Sequence, residues 1–264
     1  MRGLSSESAG APGAAELSAI VITRNEEARI RDCLASVSFA AEIIVVDNAS
    51  TDATPDLARA AGAQVHHAPD WPGFGAQKNR ALALATKPWV LSIDADERVT
   101  PQLRDEILSV LRQGDPTQAW DMPRRSSYCG QYMAHSGWYP DRVTRLFRRG
   151  AARFSDDIVH ERLLVDGAVG HLRSDLLHAS FDDFETVLDK VNRYSTAGAQ
   201  RMFAAGKRTS FAGAMLRAWW AFVRTYVLRR GFLDGRLGFA LAVSNAEGTW
   251  YRYLKLWLMQ RQGR

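Results

Sequence analysis

Trp89-Val-Leu-Ser-Ile-Asp-Ala-Asp96 is the stretch on which the fold is decided. Its first five residues form a near-continuous apolar run, the pattern of a strand covered on both faces. Its last three place two carboxylates at positions i and i+2, which point to the same side of an extended chain. Asp94 and Asp96 therefore face one point just beyond a buried strand. Two carboxylates so placed repel unless a cation sits between them, and a hard divalent ion bound by oxygens suits that gap. The competing reading is a solvated turn, since Asp-X-Asp arises often by chance.

Outward from this stretch the same grammar repeats. Ala19-Ile-Val-Ile-Thr23 and Ile43-Ile-Val-Val-Asp47 read as further buried strands. Between them Ile30, Cys33, Leu34 and Val37 fall at i, i+3, i+4 and i+7, one face of a helix. Thr54-Pro55 predicts a capped helix stopped at Gly62, then a short strand at Gln64-Val65-His66 and a helix over 76–86. Thr100-Pro101 opens another helix, carrying Leu103, Ile107, Leu108 and Leu111 and closed by Gly114. Strands alternating with helices of this length imply a mostly parallel α/β sheet flanked by helices. Ligands of such sheets bind beyond the carboxyl ends of the strands. Thr23-Arg-Asn-Glu26, Asp47-Asn-Ala-Ser50 and Asp94-Ala-Asp96 all stand at such ends and are expected to converge.

From Trp120 to His178 the pattern is mixed and loop-rich, with short strands at Val143 to Phe147 and Arg162 to Val165. Ser180 with Asp183 predicts, as a capping box, the start of a long helix through Phe184, Val187, Leu188 and Val191 towards Gly206. The expected organisation is a disordered start over 1–16, an α/β domain over 17–180 and a helical, basic and aromatic region over 181–264.

Charge is distributed unevenly. Residues 201–264 hold twelve Lys and Arg against two acidic residues, which leaves 22 basic and 27 acidic residues in the first 200. An acidic body with a basic tail argues against nucleic acid as a partner, because positive charge would then cover the working face. Two cysteines in 264 residues, Cys33 and Cys129, make no disulfide framework, and both read as core residues. Residues 1–16 have no apolar core of a signal peptide, and arginines interrupt every apolar run of the tail. The expectation is a cytoplasmic protein without a transmembrane helix.

Four ordered segments carry a family resemblance: Ser18-Ala-Ile-Val-Ile-Thr-Arg-Asn-Glu-Glu27, Ile43-Ile-Val-Val-Asp-Asn-Ala-Ser-Thr-Asp52, Gly75-Ala-Gln-Lys-Asn-Arg80 and Val90-Leu-Ser-Ile-Asp-Ala-Asp-Glu97. Together they resemble the family 2 glycosyltransferases with a GT-A fold. Trp71-Pro-Gly-Phe-Gly75, Asp94-Ala-Asp-Glu-Arg-Val-Thr-Pro101, Arg145-Leu-Phe-Arg-Arg149 and Phe154-Ser-Asp-Asp-Ile-Val-His-Glu161 are similar to the lipopolysaccharide-core β-1,4-glucosyltransferase group. The resemblance implies a UDP-linked sugar donor. It places the nucleotide sugar among Thr23, Asn25, Glu26, Asp47, Asn79, Arg80, Asp94 and Ala95. Asp96, with Asp94 and the later His178, would hold Mg²⁺ or Mn²⁺.

An inverting transfer requires a base on the acceptor side. Glu161 is the first choice and Asp157 the next. Each assignment has a structural competitor: loop amides satisfied by Asp47, an exposed helix face for Asn79 and Arg80, a structural role for His178, and pairing of Glu161 with Arg145, Arg148 or Arg162. The Gln-X-X-Arg-Trp signature of processive members is absent, which points to addition of a single sugar, and the resemblance implies glucose as that sugar and a lipopolysaccharide inner-core heptose as its acceptor. The alternatives are another bacterial glycan or lipid-phosphate acceptor, or a non-catalytic nucleotide-sugar-binding scaffold. A Rossmann oxidoreductase is disfavoured, since no Gly-X-Gly-X-X-Gly follows the first strand.

In the tail, Phe211, Trp219, Phe222, Val223, Tyr226 and Val227 are interleaved with arginines, and Trp250, Tyr251, Tyr253, Leu254, Trp257 and Leu258 flank Arg252 and Lys255. Such helices suit the surface of an anionic inner membrane, where a lipid-linked acceptor would be reached. The competing reading packs these aromatics on the protein itself.

Overall fold

The computed structural model describes residues 16–113, 116–155 and 161–262. The expectations for residues 1–15, for Gly114 and for Asp157 lie outside them. Two compact units divide the chain: Met1–Arg124 with Arg142–His178, and Arg125–Asp141 with Ala179–Arg264.

In the first unit the buried runs form the centre of the sheet. β1 (Leu17–Thr23), β2 (Glu42–Asp47), β3 (Gln64–His67) and β4 (Trp89–Asp94) lie in the order β3-β2-β1-β4, and the three pairings among them are parallel. Beyond β4 the sheet changes character, because β8 (Asp141–Arg148) pairs β4 antiparallel, as β12 (Leu176–Phe181) pairs β5 (Glu97–Val99). β6 (Ala119–Tyr128) lies between β8 and β12; β11 (Val169–His171) pairs with its first residues, and β7 (Gln131–Tyr132), which belongs to the second unit, pairs with its last, Ser127 and Tyr128. β9 (Ala152–Phe154) and β10 (Leu163–Val165) form a separate antiparallel pair.

The helices follow the apolar spacing. α1 (Ile30–Ser36) buries Ile30, Cys33 and Leu34, with Val37 at its C-cap also buried. α2 (Thr54–Ala60) begins at Thr54, with Ala53 as its cap, and Gly62 in the left-handed region follows its last turn. α3 (Phe74–Leu84) starts two residues before the sequence pattern places it. Gly75, in its first turn, packs so closely on the residue that follows β9 that a Cβ there would lie 1.8 Å from the Ser155 carbonyl oxygen. α4 (Pro101–Gln113) buries the three expected leucines and the isoleucine, and Leu103 N donates to Thr100 Oγ1 at 3.2 Å as the cap requires. Completely buried side chains such as Leu17, Ile20, Ile44, Leu91 and Leu103 each contribute about 1.5–3 kcal/mol over exposure.

The second unit is mainly helical. α5 (Phe184–Ala204) is capped by Asp183, whose Oδ1 accepts from Thr186 N at 2.7 Å. Asp183 is thus the cap itself, one turn later than a box opened by Ser180. α6 (Phe211–Val223), capped by Ser210, runs into a π-helical turn at Arg224–Leu228. A 3₁₀ turn at Gly231–Asp234 then leads into α7 (Gly235–Gln262), which packs on α5 and α6. Buried Asp234 fixes the loop after β7 by accepting from Ala134 N at 3.1 Å, His135 N at 3.0 Å and Ser136 Oγ at 3.0 Å. Tyr128, Met133, Val187 and Leu241 form the centre of this unit's core.

Candidate functional site

Strand register brings the expected polar ends together. Thr23 is the cross-strand partner of Asp47, Ile22 of Asp94, and Asp47 of His67, so these residues stand at one carboxyl edge. The loops leaving that edge are constrained. Asn25 and Ala49 have φ of 55° and 49°, the left-handed region that L-residues enter at about 1–2 kcal/mol. Asn25 is held there by the other loop: Asn25 N donates to Ser50 Oγ at 2.9 Å, and Thr51 N to Asn25 Oδ1 at 2.8 Å. Glu26 N donates to Thr54 Oγ1 at 2.8 Å.

Asp47 is buried and receives Thr23 Oγ1 at 3.2 Å together with the amide and hydroxyl of Ser50. It also lines a cavity of about 290 Å³ with Ser50, Asp52, Arg59, Val65 and His67. This cavity supplies an acceptor for a ligand N–H and an apolar wall. Asn79 and Arg80 are engaged elsewhere. The Asn79 amide donates to Phe154 O and accepts from Phe154 N, both at 2.9 Å, clamping β9, while Arg80 pairs with Asp70 on the exposed surface.

A charge network spreads from the end of β4. Asp94 Oδ1 lies 2.9 Å from Lys78 Nζ, and Asp94 Oδ2 lies 2.5 Å from Arg145 Nη2. Lys78 Nζ also reaches Glu161 Oε1 at 2.9 Å, and Arg145 reaches the completely buried Glu97 at 2.6 Å. Arg124 approaches Glu97 at 3.3 Å. Burial pushes the Asp94 carboxyl up, but Arg145 and then Lys78 outweigh it and hold the group well below the usual carboxylate range. Both Asp94 oxygens thus face side-chain cations. Glu161 pairs with Lys78, while Arg145 bonds Asp94 and Glu97, and Arg148 stacks over Trp89.

Lys78, Glu97 and Arg124 are members of this network that the sequence analysis did not single out. A signal for Lys78 existed. It shares the buried face of α3 with Gly75 and Ala81 at a spacing of three, where a lysine needs a carboxylate partner.

Asp96 and His178 form a different pair. β12 brings His178 opposite Glu97 of β5, and His178 Nε2 lies 3.2 Å from Asp96 Oδ2. Glu26 sits within reach of this charge. Burial raises its carboxyl above the ordinary value, Arg29 opposes this, and Asp96 adds to it. Arg98 fixes the intervening turn by donating to Ala95 O at 2.9 Å and Arg29 O at 2.7 Å. Among the described residues no three His, Cys, Asp or Glu side chains gather into a complete metal cage. A carboxylate oxygen beside an imidazole nitrogen is nonetheless a donor set that divalent ions such as Mn²⁺ accept. Two protein ligands also leave positions for phosphate oxygens and water. The donors fit an ion whose shell a substrate completes.

Comparison with known proteins agrees with this geometry. Residues 18–173 match the family described as glycosyl transferase family 2. The chain is 34% identical over 241 residues to the lipopolysaccharide core biosynthesis glycosyltransferase LpsC of Rhizobium meliloti, covering 87% of each chain. It is 31% identical to a glycosyltransferase of Rickettsia prowazekii, covering 91% of this chain and 86% of that one. It is also similar to a solved glucosyl-3-phosphoglycerate synthase of Mycobacterium tuberculosis, at 29% identity and a TM-score of 0.38 over 43% of this chain and 47% of the other. An α/β sheet flanked by helices, polar residues gathered at its carboxyl edge and a family match over more than half the sequence lead to one conclusion: the chain belongs to the family 2 glycosyltransferases and is a glycosyltransferase of GT-A fold.

Proposed function

We propose that the protein transfers one sugar, glucose, with inversion from a UDP-linked donor to a lipopolysaccharide inner-core heptose. The observation carrying this reading is the joint placement of Asp96, His178, Lys78 and Glu161 around the end of β4. The acceptor class is supported by similarity to LpsC along nearly the whole chain. In this reading the Asp47 cavity takes the uracil ring, whose N–H matches the carboxylate, with Thr23, Asn25 and Glu26 shaping the loops around the nucleoside. Asp96 and His178 would hold Mg²⁺ or Mn²⁺. When bound, the ion neutralises charge on the departing diphosphate.

Glu161 takes the proton of the acceptor hydroxyl as its oxygen attacks the anomeric carbon, and the bond from that carbon to the diphosphate breaks on the opposite side. Lys78 positions Glu161 against Asp94. Asp94, held by two cations, anchors this machinery beside the ribose rather than serving as the main metal ligand.

UDP release with deacylated core oligosaccharide tests the reading across a panel of UDP-sugars, with and without Mn²⁺, against Asp96→Ala. The expected result is metal-dependent release with one sugar, lost in the variant. UDP binding without release from any sugar would refute it.

The second unit supports an anionic membrane surface as a partner. No helix among the described residues is long and apolar enough to cross a membrane. Yet α6 and the turns after it leave Met215, Leu216, Trp219, Trp220, Leu228 and Leu233 largely exposed, with Arg217 and Arg230 among them. Apolar side chains bordered by arginines suit the interface of an anionic bilayer. Leu216→Ser with Trp219→Ser should abolish flotation with phosphatidylglycerol vesicles, and unchanged flotation would remove the membrane from the proposal.

A further inference from the structure

The second unit holds a cavity of about 430 Å³, within the size range of small-molecule sites. Its lining contains four cations, Lys190, Arg224, Arg229 and Arg252, and no carboxylate. The three guanidinium groups have no acidic or hydrogen-bonding side-chain partner among the described residues. Lys190 is oriented by Ser180 O at 3.1 Å and by the Phe181 ring, 4.2 Å from its centroid. Guanidinium groups facing a common space without counter-charge repel one another unless an anion enters, and their planar forks match phosphate oxygens.

The rest of the lining narrows the class of ligand. Trp138 lines the cavity, its ring tilted against that of Phe181 with centroids 5.7 Å apart. Asn245 and Thr249, one turn apart on α7, add small polar groups. An aromatic wall takes the apolar face of a pyranose, amides and hydroxyls take its hydroxyl groups, and arginines take an attached phosphate. The loop that carries Trp138 is fixed upstream by buried Asp234, so the wall is preformed.

We propose that this cavity binds a phosphorylated sugar, as a recognition site for the phosphate-bearing part of the acceptor glycan. The proposal rests on the acceptor class assigned above and adds the chemistry by which the chain selects it. It also gives the excess of arginine in the tail a purpose separate from the vesicle surface, because Arg224 and Arg252 line the cavity whereas Arg217 and Arg230 do not.

Calorimetric titration of the full chain with glucose 6-phosphate, glucose and inorganic phosphate tests it, with UDP titrated in parallel. Glucose 6-phosphate should bind at least about tenfold more tightly than glucose or phosphate alone, since both the ring and the charge are recognised. Arg224→Gln with Arg252→Gln should lose at least about tenfold of that affinity, and the double lysine variant should recover part of it. UDP affinity should not change in either. Equal binding of glucose and glucose 6-phosphate, or full affinity in a glutamine variant with unaltered thermal stability, would overturn the proposal. So would a variant that keeps glucose 6-phosphate binding and loses only binding to phosphatidic acid vesicles, since the cavity would then read a lipid headgroup. Glucose 6-phosphate binding that persists in a protein unable to bind UDP would count against the transfer reaction and for the cavity. Normal sugar transfer without glucose 6-phosphate binding would do the reverse.

Discussion

The two units handle charge in opposite ways. At the edge of the sheet, Lys78, Asp94, Glu97, Arg145 and Glu161 alternate in sign, and each is held within 3 Å of a partner. In the helical unit Arg224, Arg229 and Arg252 line a cavity with no acid in its walls. The first arrangement is closed on itself and, in the proposed reaction, holds Glu161 in fixed geometry. The second is left open, and its charge is balanced when something anionic arrives. A paired network gives positioning, and an unpaired one gives recognition.

The sharpest way to break the comparison is to remove one cation from each side. Arg145→Gln leaves the completely buried Glu97 and the depressed Asp94 with too little positive charge. Loss of one partner from a buried ion pair costs about 3–5 kcal/mol, and urea denaturation should show it. A loss below about 1 kcal/mol would mean that the network is solvated like a surface pair.

Acid sharpens the same point to a smaller extent. The folded-state value of Asp94 lies below its unfolded value of about 3.9, so its contribution is complete above that pH and declines as pH falls below it. The stability gap between wild type and Arg145→Gln should therefore narrow between pH 7 and pH 3. A constant gap would show that Asp94 does not share in the cost.

Arg252→Gln in the open cavity should change stability by no more than about 0.5 kcal/mol, as expected of an exposed side chain without partners. A stabilising change would fit best, since it relieves repulsion from Arg224 and Arg229. A cost like that of Arg145→Gln would erase the distinction between the units.

How much of this was legible in the sequence depended on the range of the interaction. The strand Trp89–Asp94, the helix carrying Ile30, Cys33 and Leu34, and the gathering of Thr23, Asp47 and Asp94 follow from local periodicity and from where parallel strands end. The antiparallel partners of β4 and β5 do not, because pairing of β4 with β8 joins segments about fifty residues apart and no periodicity encodes that choice. Asn79 shows the same limit. Its place on α3 was readable, but its double hydrogen bond to Phe154 depends on a strand some seventy residues later. Glu161 could be weighed only against arginines near it in sequence, whereas its partner is Lys78, 83 residues away. The cavity of the second unit had no local signature, since its arginines were spread over two helical segments and read as one basic tail.

The central claim is that the closed network exists to position a base. Glu161→Gln tests it most directly, because the amide retains shape and a hydrogen-bond acceptor for Lys78 while giving up basicity. Steady-state sugar transfer should fall by about 10²–10⁴-fold in kcat, the range for loss of a general base, with UDP affinity unchanged. Transfer within a few-fold of wild type would contradict the account and move the base to another group.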